Sequence, residues 1–269
     1  MQDRAADEKF TRLRSGRRIW AVASIHGEAE RLGRLHDRIA ARFDDSDRIV
    51  YLGNYLGRGS AVAATIEELL DFRRRVLGRP RGFACDAVFL RGAQEEMWQK
   101  LLQLQFAPNP GDVLAWMVRE GIEATIQAYG GELRHGFAAS RDGPRTITRW
   151  TSALRDAMNA APGHRMLLAN LHHAALSQDD RLLFVHAGVD ASRPLASQGD
   201  AFWWGRRDIL DLAQPFDGFG RVVRGFDRQM RGLVEGEFAV SLDAGAGRGG
   251  SLLAAAFAPD GAVVERLEA

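Results

Sequence analysis

Cysteine is almost absent from this 269-residue chain, with Cys85 the single example. An intrachain disulfide is therefore excluded, and so is a cysteine-based zinc site. That usage fits a reducing compartment, and the cytoplasm is the expected location. No apolar run reaches the roughly 18 residues that a bilayer-spanning helix needs. The stretch Met1 to Phe10 is polar and mixed in charge, without the apolar centre of a secretion signal, so none is expected. An excess of one charge sign is missing too. Lysine plus arginine total 36 and aspartate plus glutamate 35, a net charge of +1. No global field points to nucleic acid or an anionic membrane, and neither is expected as a partner. The local basic runs, Arg12, Arg14, Arg17 and Arg18 and then Arg73, Arg74, Arg75, Arg79 and Arg81, read as solvated surface.

What is present is globular in character. A hydrophobic share of 46% and a charged share of 26% over this length suit one large α/β domain. Residues 1–16 read as a flexible polar leader. Short apolar runs that stop at turns read as strands at Arg18 to Ser24, Arg48 to Leu52, Asp86 to Leu90, Asp180 to His186, Arg221 to Gly225 and Glu237 to Leu242. Ser251 to Phe257 and Ala262 to Arg266 read as a closing hairpin. Helical spacing runs through His26 to Phe43, where Leu32, Leu35, Ile39 and Ala40 share a face. It runs again through Ser60 to Leu77, with Ile66, Leu69, Leu70 and Phe72 on the buried side. Residues 95–160 read as mostly helical. Strand, loop and helix in repetition argue a layered α/β fold, with ligands expected where loops leave the carboxyl ends of strands.

Five glycine-bearing segments follow those strands. They are Ala23-Ser24-Ile25-His26-Gly27, Gly53-Asn54-Tyr55-Leu56-Gly57-Arg58-Gly59, Arg91-Gly92-Ala93-Gln94-Glu95, Phe184-Val185-His186-Ala187-Gly188 and Gly225-Phe226-Asp227. In order and spacing they resemble the GDxHG, GDxxDRG, RGNHE, VHAG and GHT signatures of calcineurin-like metallophosphoesterases, in the branch of serine/threonine phosphatases and symmetrical dinucleoside-tetraphosphatases. Trp116 to Tyr129 resembles that branch's capping segment, Phe202 to Arg207 its W-x-R element, and Ser241 to Leu252 its IDTGA-x-x-G-G-x-L stretch. The resemblance runs from about Arg17 to Gly261. It implies a single four-layer α/β/β/α sandwich over 17–269, with a helical cap at about 97–160.

In that family two divalent cations bridge a hydroxide and the substrate phosphate, lowering the pKa of bound water. Carried over position by position, the GDxHG aspartate falls on Ser24 and its histidine on His26. The GDxxDRG aspartate falls on Asn54, the RGNHE asparagine on Ala93, the VHAG histidine on His186 and the GHT histidine on Phe226. Both ligand carboxylates are gone. The RGNHE histidine, which the resemblance makes a general acid, falls on Gln94, which does not titrate. The aspartate that orients it falls on Gly57. An intact frame without ligands, acid or acid-orienter resembles a pseudophosphatase.

Some anion chemistry is retained. Arg58 matches the GDxxDRG arginine and Arg206 the W-x-R arginine, so both are candidate phosphate-binding residues; Arg91, Arg207, Arg224 and Arg228 lie nearby in sequence. Arg58 has the alternative of pairing with Glu95. His26 and His186 are the residual metal-ligand positions, with packed, hydrogen-bonded histidines as the alternative. His172 and His173 read as surface residues, and Gly245 to Gly250 lacks the lysine and strand-to-helix context of a phosphate loop. No cofactor is expected; if one binds, it is a single Mn or Zn ion. The expected function is non-catalytic binding of a protein partner, phosphorylated or as a subunit of a larger assembly, for which Trp203 and Trp204 are candidate anchors. The alternative is a weak or altered metal-dependent phosphoesterase on His26, His186 and Asn54 or Asp227.

Overall fold

In the computed structural model, which describes residues 9–205 and 207–269, two mixed sheets pack face to face. The strands are β1 (Phe10–Arg12), β2 (Ile19–Val22), β3 (Arg48–Tyr51), β4 (Ala87–Phe89), β5 (Ala174–Leu176), β6 (Leu182–Val185), β7 (Arg221–Arg224), β8 (Val234–Glu235), β9 (Ala239–Ser241), β10 (Leu253–Phe257) and β11 (Val263–Glu268). One sheet has the order β1-β5-β6-β7-β9-β8 and the other β11-β10-β2-β3-β4. β2, β3 and β4 run parallel, as do β6, β7 and β9.

The four layers follow from the strand sequences. β2, β3, β4 and β6 are buried on both faces, which is why they are apolar runs rather than alternating ones, Arg48 at the start of β3 excepted. Alternate residues face opposite ways. Ile19, Ala21, Val50, Leu52, Val88, Ala255 and Phe257 meet Ala175, Leu182, Phe184, Val223 and Val240 of the other sheet. Phe184 and Phe257 join across that interface edge to face, 5.8 Å between centroids. Trp20, Val22, Ile49, Tyr51, Ala87 and Phe89 point the other way, onto helices α1 (Ala29–Ala40) and α2 (Val62–Leu77). The buried residues of α1, Leu32, Leu35, His36 and Ile39, sit at helical spacing. On the outer face of the other sheet, Leu183, Val185 and Val222 pack on Phe202, Trp203, Ile209, Phe216 and Phe219.

The cap follows β4 as α3 (Ala93–Leu101), α4 (Pro110–Arg119), α5 (Glu123–Ala128), α6 (Leu133–Asp142), α7 (Pro144–Ala160) and α8 (His164–Ala169). Proline at the first position of α4 and α7 starts both helices where no amide donor is needed. A short α9 (Ala201–Trp204) carries the first half of the Phe202 to Arg207 segment.

Two expectations from sequence change here. Phe10–Arg12 is not a free leader: it pairs in parallel with β5, Phe10 opposite Ala174, and Phe10 packs edge to face on Phe202. Too few residues precede a turn there for a periodic signal, so only the partner strand reveals it. His172 and His173 are half-buried rather than surface residues. His173 packs against Phe202 and Trp203, and burial, with Arg91, Lys9 and His172 nearby, pushes its pKa down to about 4.

Candidate functional site

The parallel directions of β2, β3, β4, β6 and β7 bring the five glycine segments to one edge of the sandwich. The two sheets are tied together there. The Ser24 amide donates to the Gly225 carbonyl at 2.9 Å, and His186 Nδ1 lies 2.7 Å from the Leu52 carbonyl. A Cβ at Gly225 would meet Leu52 Cβ at 2.3 Å, so glycine is required where the sheets approach. His26, Asn54 and Arg58 all hold left-handed backbone, with φ of 54°, 55° and 54°. Non-glycine residues are rare in that region, and a cluster of three persists only because the surrounding structure holds it.

Glu95 holds these turns in place. Its carboxylate accepts from the amides of Gly92, Asn54, Tyr55 and Leu56, at 2.8, 2.9, 2.8 and 3.1 Å. Burial raises its pKa, opposed by those amides. Arg58 therefore does not pair with Glu95. Its amide donates to Gly121 O at 3.0 Å and its Nη2 lies 3.7 Å from Glu120 Oε2, both in the cap. The cap is also held by Gly57 N–H on Thr125 Oγ1 at 2.9 Å and Gln94 Nε2 on Glu120 O at 2.7 Å.

At the centre is Asn54. Its Oδ1 accepts the Gln94 amide at 2.9 Å, which fixes the orientation of the carboxamide. Nδ2 then faces His26 Nε2 at 3.2 Å and Ser24 Oγ at 3.4 Å. An NH2 donor thus stands between the groups that would ligate a cation and uses the His26 lone pair. Gln94 and Gly57 are complementary: a Cβ at Gly57 would lie 2.3 Å from Gln94 Oε1. The glutamine fills the space that an aspartate at 57 would need.

Phe226 seals the other side. It stacks on His186 with centroids 5.4 Å apart and planes at 17°. The Arg248 guanidinium sits over its ring at 5.6 Å. Ser24, His26, Asn54 and His186 are each at most 2% exposed. Burial lowers the His26 pKa well below the usual range, helped by Arg58, Arg248 and His186. Burial pushes His186 to about 4, opposed by its bond to Leu52. Both imidazoles are neutral at pH 7. His186 Nδ1 donates to Leu52, which leaves Nε2 as a buried acceptor without a protein partner.

A two-metal centre does not fit these residues. Hard dications need anionic oxygen ligands, and the cluster supplies a serine, a donor carboxamide, one free imidazole lone pair, on His186 Nε2, and a phenyl ring. Asp227 does not substitute. Its carboxylate lies 3.0 Å from Arg224 Nη2 and 2.7 Å from Arg231 Nε, and these arginines outweigh burial to keep its pKa low. Its amide in turn donates to Asp243 at 2.9 Å. Among the described residues, no group of three or more His, Cys, Asp or Glu is placed to hold a metal ion.

Of the arginines, Arg91 is taken up by Glu96 and Gln99 at 3.3 and 2.7 Å. Arg206 lies outside the described residues. Three further neighbours were given no role at the site by the motif comparison. Arg248 comes from the glycine-rich 245–250 loop, whose Gly247 rests against His26 and Arg58; that contact would not admit a side chain. Asp208 salt-bridges Arg224 at 3.1 Å and also pairs with Arg231. Trp204 packs on Trp116 of the cap, 5.6 Å between centroids.

No family model matches the chain, and no curated protein does. Solved structures do. A candidate diadenosine tetraphosphatase superposes with a TM-score of 0.58 at 20% identity, over 97% of each chain. A serine/threonine phosphatase from Saccharomyces cerevisiae gives 0.50 at 13%, over all of this chain and 88% of that one. A cold-active protein tyrosine phosphatase gives 0.53 at 12%, over 97% and 80%. The fold is accordingly shared with these phosphatase structures: two stacked mixed sheets flanked by helices. At these identities the likeness is one of fold.

Proposed function

We propose that this protein is a phosphatase-fold protein that no longer hydrolyses phosphate esters and acts by binding a protein partner through its arginine-bearing rim, the partner carrying phosphate at the contact. The observation that supports this most is the Asn54 carboxamide, pinned by the Gln94 amide with its NH2 on His26. A donor in that place repels a cation rather than ligating it. Gln94 and Phe226 add to it, since neither a titratable acid nor a further ligand stands at those positions.

A second reading, a weak or altered metal-dependent phosphoesterase, draws on one feature: the unpartnered, buried Nε2 of His186. Metal content separates the two. The protein, soaked in manganese and zinc and then dialysed, is assayed for bound metal by plasma mass spectrometry and for p-nitrophenyl phosphate turnover. On the binding reading, bound metal stays below about one tenth of an equivalent and turnover matches the no-protein blank. Near one equivalent, lost in His26→Ala or His186→Ala and accompanied by turnover, would establish the phosphoesterase instead.

A further inference from the structure

The histidines offer no surface to a ligand, because Phe226, Arg248 and the 245–250 loop close over them. On the outer side of Phe226 there is a cavity of about 210 Å³, lined by Arg207, Arg224, Arg228, Trp204 and Phe226 among others. At about 30 Å³ per water it has room for roughly seven waters, enough for a phosphate monoester headgroup.

Its charges divide into two sets. Arg224 is 5% exposed, and its Nε donates to Ser241 Oγ at 3.0 Å. Its Nη2 lies 3.1 Å from Asp208 and 3.0 Å from Asp227, yet is aligned for a hydrogen bond with neither, so a buried guanidinium keeps an unspent donor. Arg231 satisfies the remaining carboxylate oxygens of Asp208 and Asp227. Arg207 and Arg228 are exposed and make no ion pair with another described residue. The pocket therefore carries two unpaired guanidinium groups over a neutralised floor. Trp204, half-exposed, supplies an aromatic wall. Two guanidinium forks beside aromatic faces suit an oxyanion attached to an organic group.

We propose that this cavity, not the buried histidine cluster, is the phosphate-monoester site, with Arg207 and Arg228 holding the oxyanion, Arg224 beneath it, and Trp204 and Phe226 against the organic part. The proposal rests on the binding reading above and places its anion contact at the α9–β7 and β7–β8 connections rather than at Arg58. It needs no metal, because guanidinium groups carry the countercharge.

The test is a titration of the full chain with phenyl phosphate and with inorganic phosphate, followed by calorimetry and by tryptophan fluorescence. Arg207→Gln and Arg228→Gln are each expected to weaken phenyl phosphate binding tenfold or more, the loss of one charge-assisted contact. Arg58→Gln and Arg248→Gln are expected to stay within twofold, and the fluorescence change is expected to vanish in Trp204→Phe. Arg207 and Arg228 are exposed, so circular dichroism should be unchanged and a lost signal reads as lost binding. Affinity that depends on Arg58 or Arg248 but not on Arg228 would overturn the proposed location. Absence of saturable binding to the unmodified protein would overturn the pocket while leaving a purely protein-mediated contact standing. Release of phenol during the titration would overturn the non-hydrolysing reading itself.

Discussion

Placing a carboxylate at position 54, Asn54→Asp, tests whether Asn54 is the stabilising plug that its hydrogen bonds describe. The substitution keeps the acceptor for the Gln94 amide but turns the donor that faces His26 Nε2 and Ser24 Oγ into a second oxygen. The new carboxylate is buried against Ser24 and the neutral His26, so its charged form is penalised, with Arg58 and Arg248 offsetting part of that cost. A mispaired buried polar group costs about 1–3 kcal/mol, more if charged. We therefore expect a loss of about 2–3 kcal/mol at pH 8, or about 4–12 °C in Tm at the usual 2–4 °C per kcal/mol for a domain of this order. The sign with pH follows from two pKa values raised in the folded variant. A raised carboxyl pKa and an imidazole raised by its new anionic neighbour both make the folded variant bind more protons than the unmodified fold. The penalty relative to the unmodified protein therefore shrinks as pH falls from 8 towards 5.5. Urea unfolding of both proteins at pH 8.0, 7.0 and 5.5 reads this directly. A penalty that is constant or grows as pH falls would refute the assigned carboxamide orientation and the plug with it.

Other consequences are independent of that one. The unmodified protein should lose stability as pH falls below about 6.5, because His26 and His186 stay neutral when folded and the unfolded chain takes up their protons. The slope is about 1.4 kcal/mol per pH unit for each histidine, and His186→Gln should remove one proton's worth of it in urea melts; an unaltered slope would contradict the assignment. Gly57→Asp should cost about 2 kcal/mol or more through collision with Gln94 Oε1 and a left-handed φ of 82°. Paired with Gln94→His it should cost less than the sum of the singles by about 1 kcal/mol, measured as a double-mutant cycle; strict additivity would show the two positions uncoupled. Glu95→Ala leaves four backbone amides without an acceptor and should cost about 3 kcal/mol or more by chemical denaturation; a loss under about 1 kcal/mol would mean water replaces it.

Much of the fold was legible because its signals are local. Each inner strand is an apolar run that ends at a glycine segment, as in Arg48 to Leu52 before Gly53, and the run itself encodes burial on both faces. The five segments kept their order, so Ser24, His26, Asn54, Gln94, His186 and Phe226 could be placed at one edge before any contact was known, and they do converge. Helix starts were less legible. His26 to Phe43 reads as helical throughout, yet α1 begins at Ala29 because His26 and Gly27 take left-handed backbone. β1 was illegible because three residues of edge strand carry no period.

By itself the sequence determined the layered architecture, the meeting of the glycine segments and the absence of a carboxylate at positions 24 and 54, all properties of residue type and order along the chain. Only the tertiary structure decided what the altered residues do. The direction of the Asn54 carboxamide depends on an amide 40 residues away, and the closure over His186 depends on Phe226 and on Arg248 from a distant loop. Asp227, an alternative ligand on the sequence alone, is instead held by Arg224 and Arg231. Hydrogen-bond direction, cover and charge pairing are set by groups that arrive from other parts of the chain, so their outcome exists only once the chain has folded.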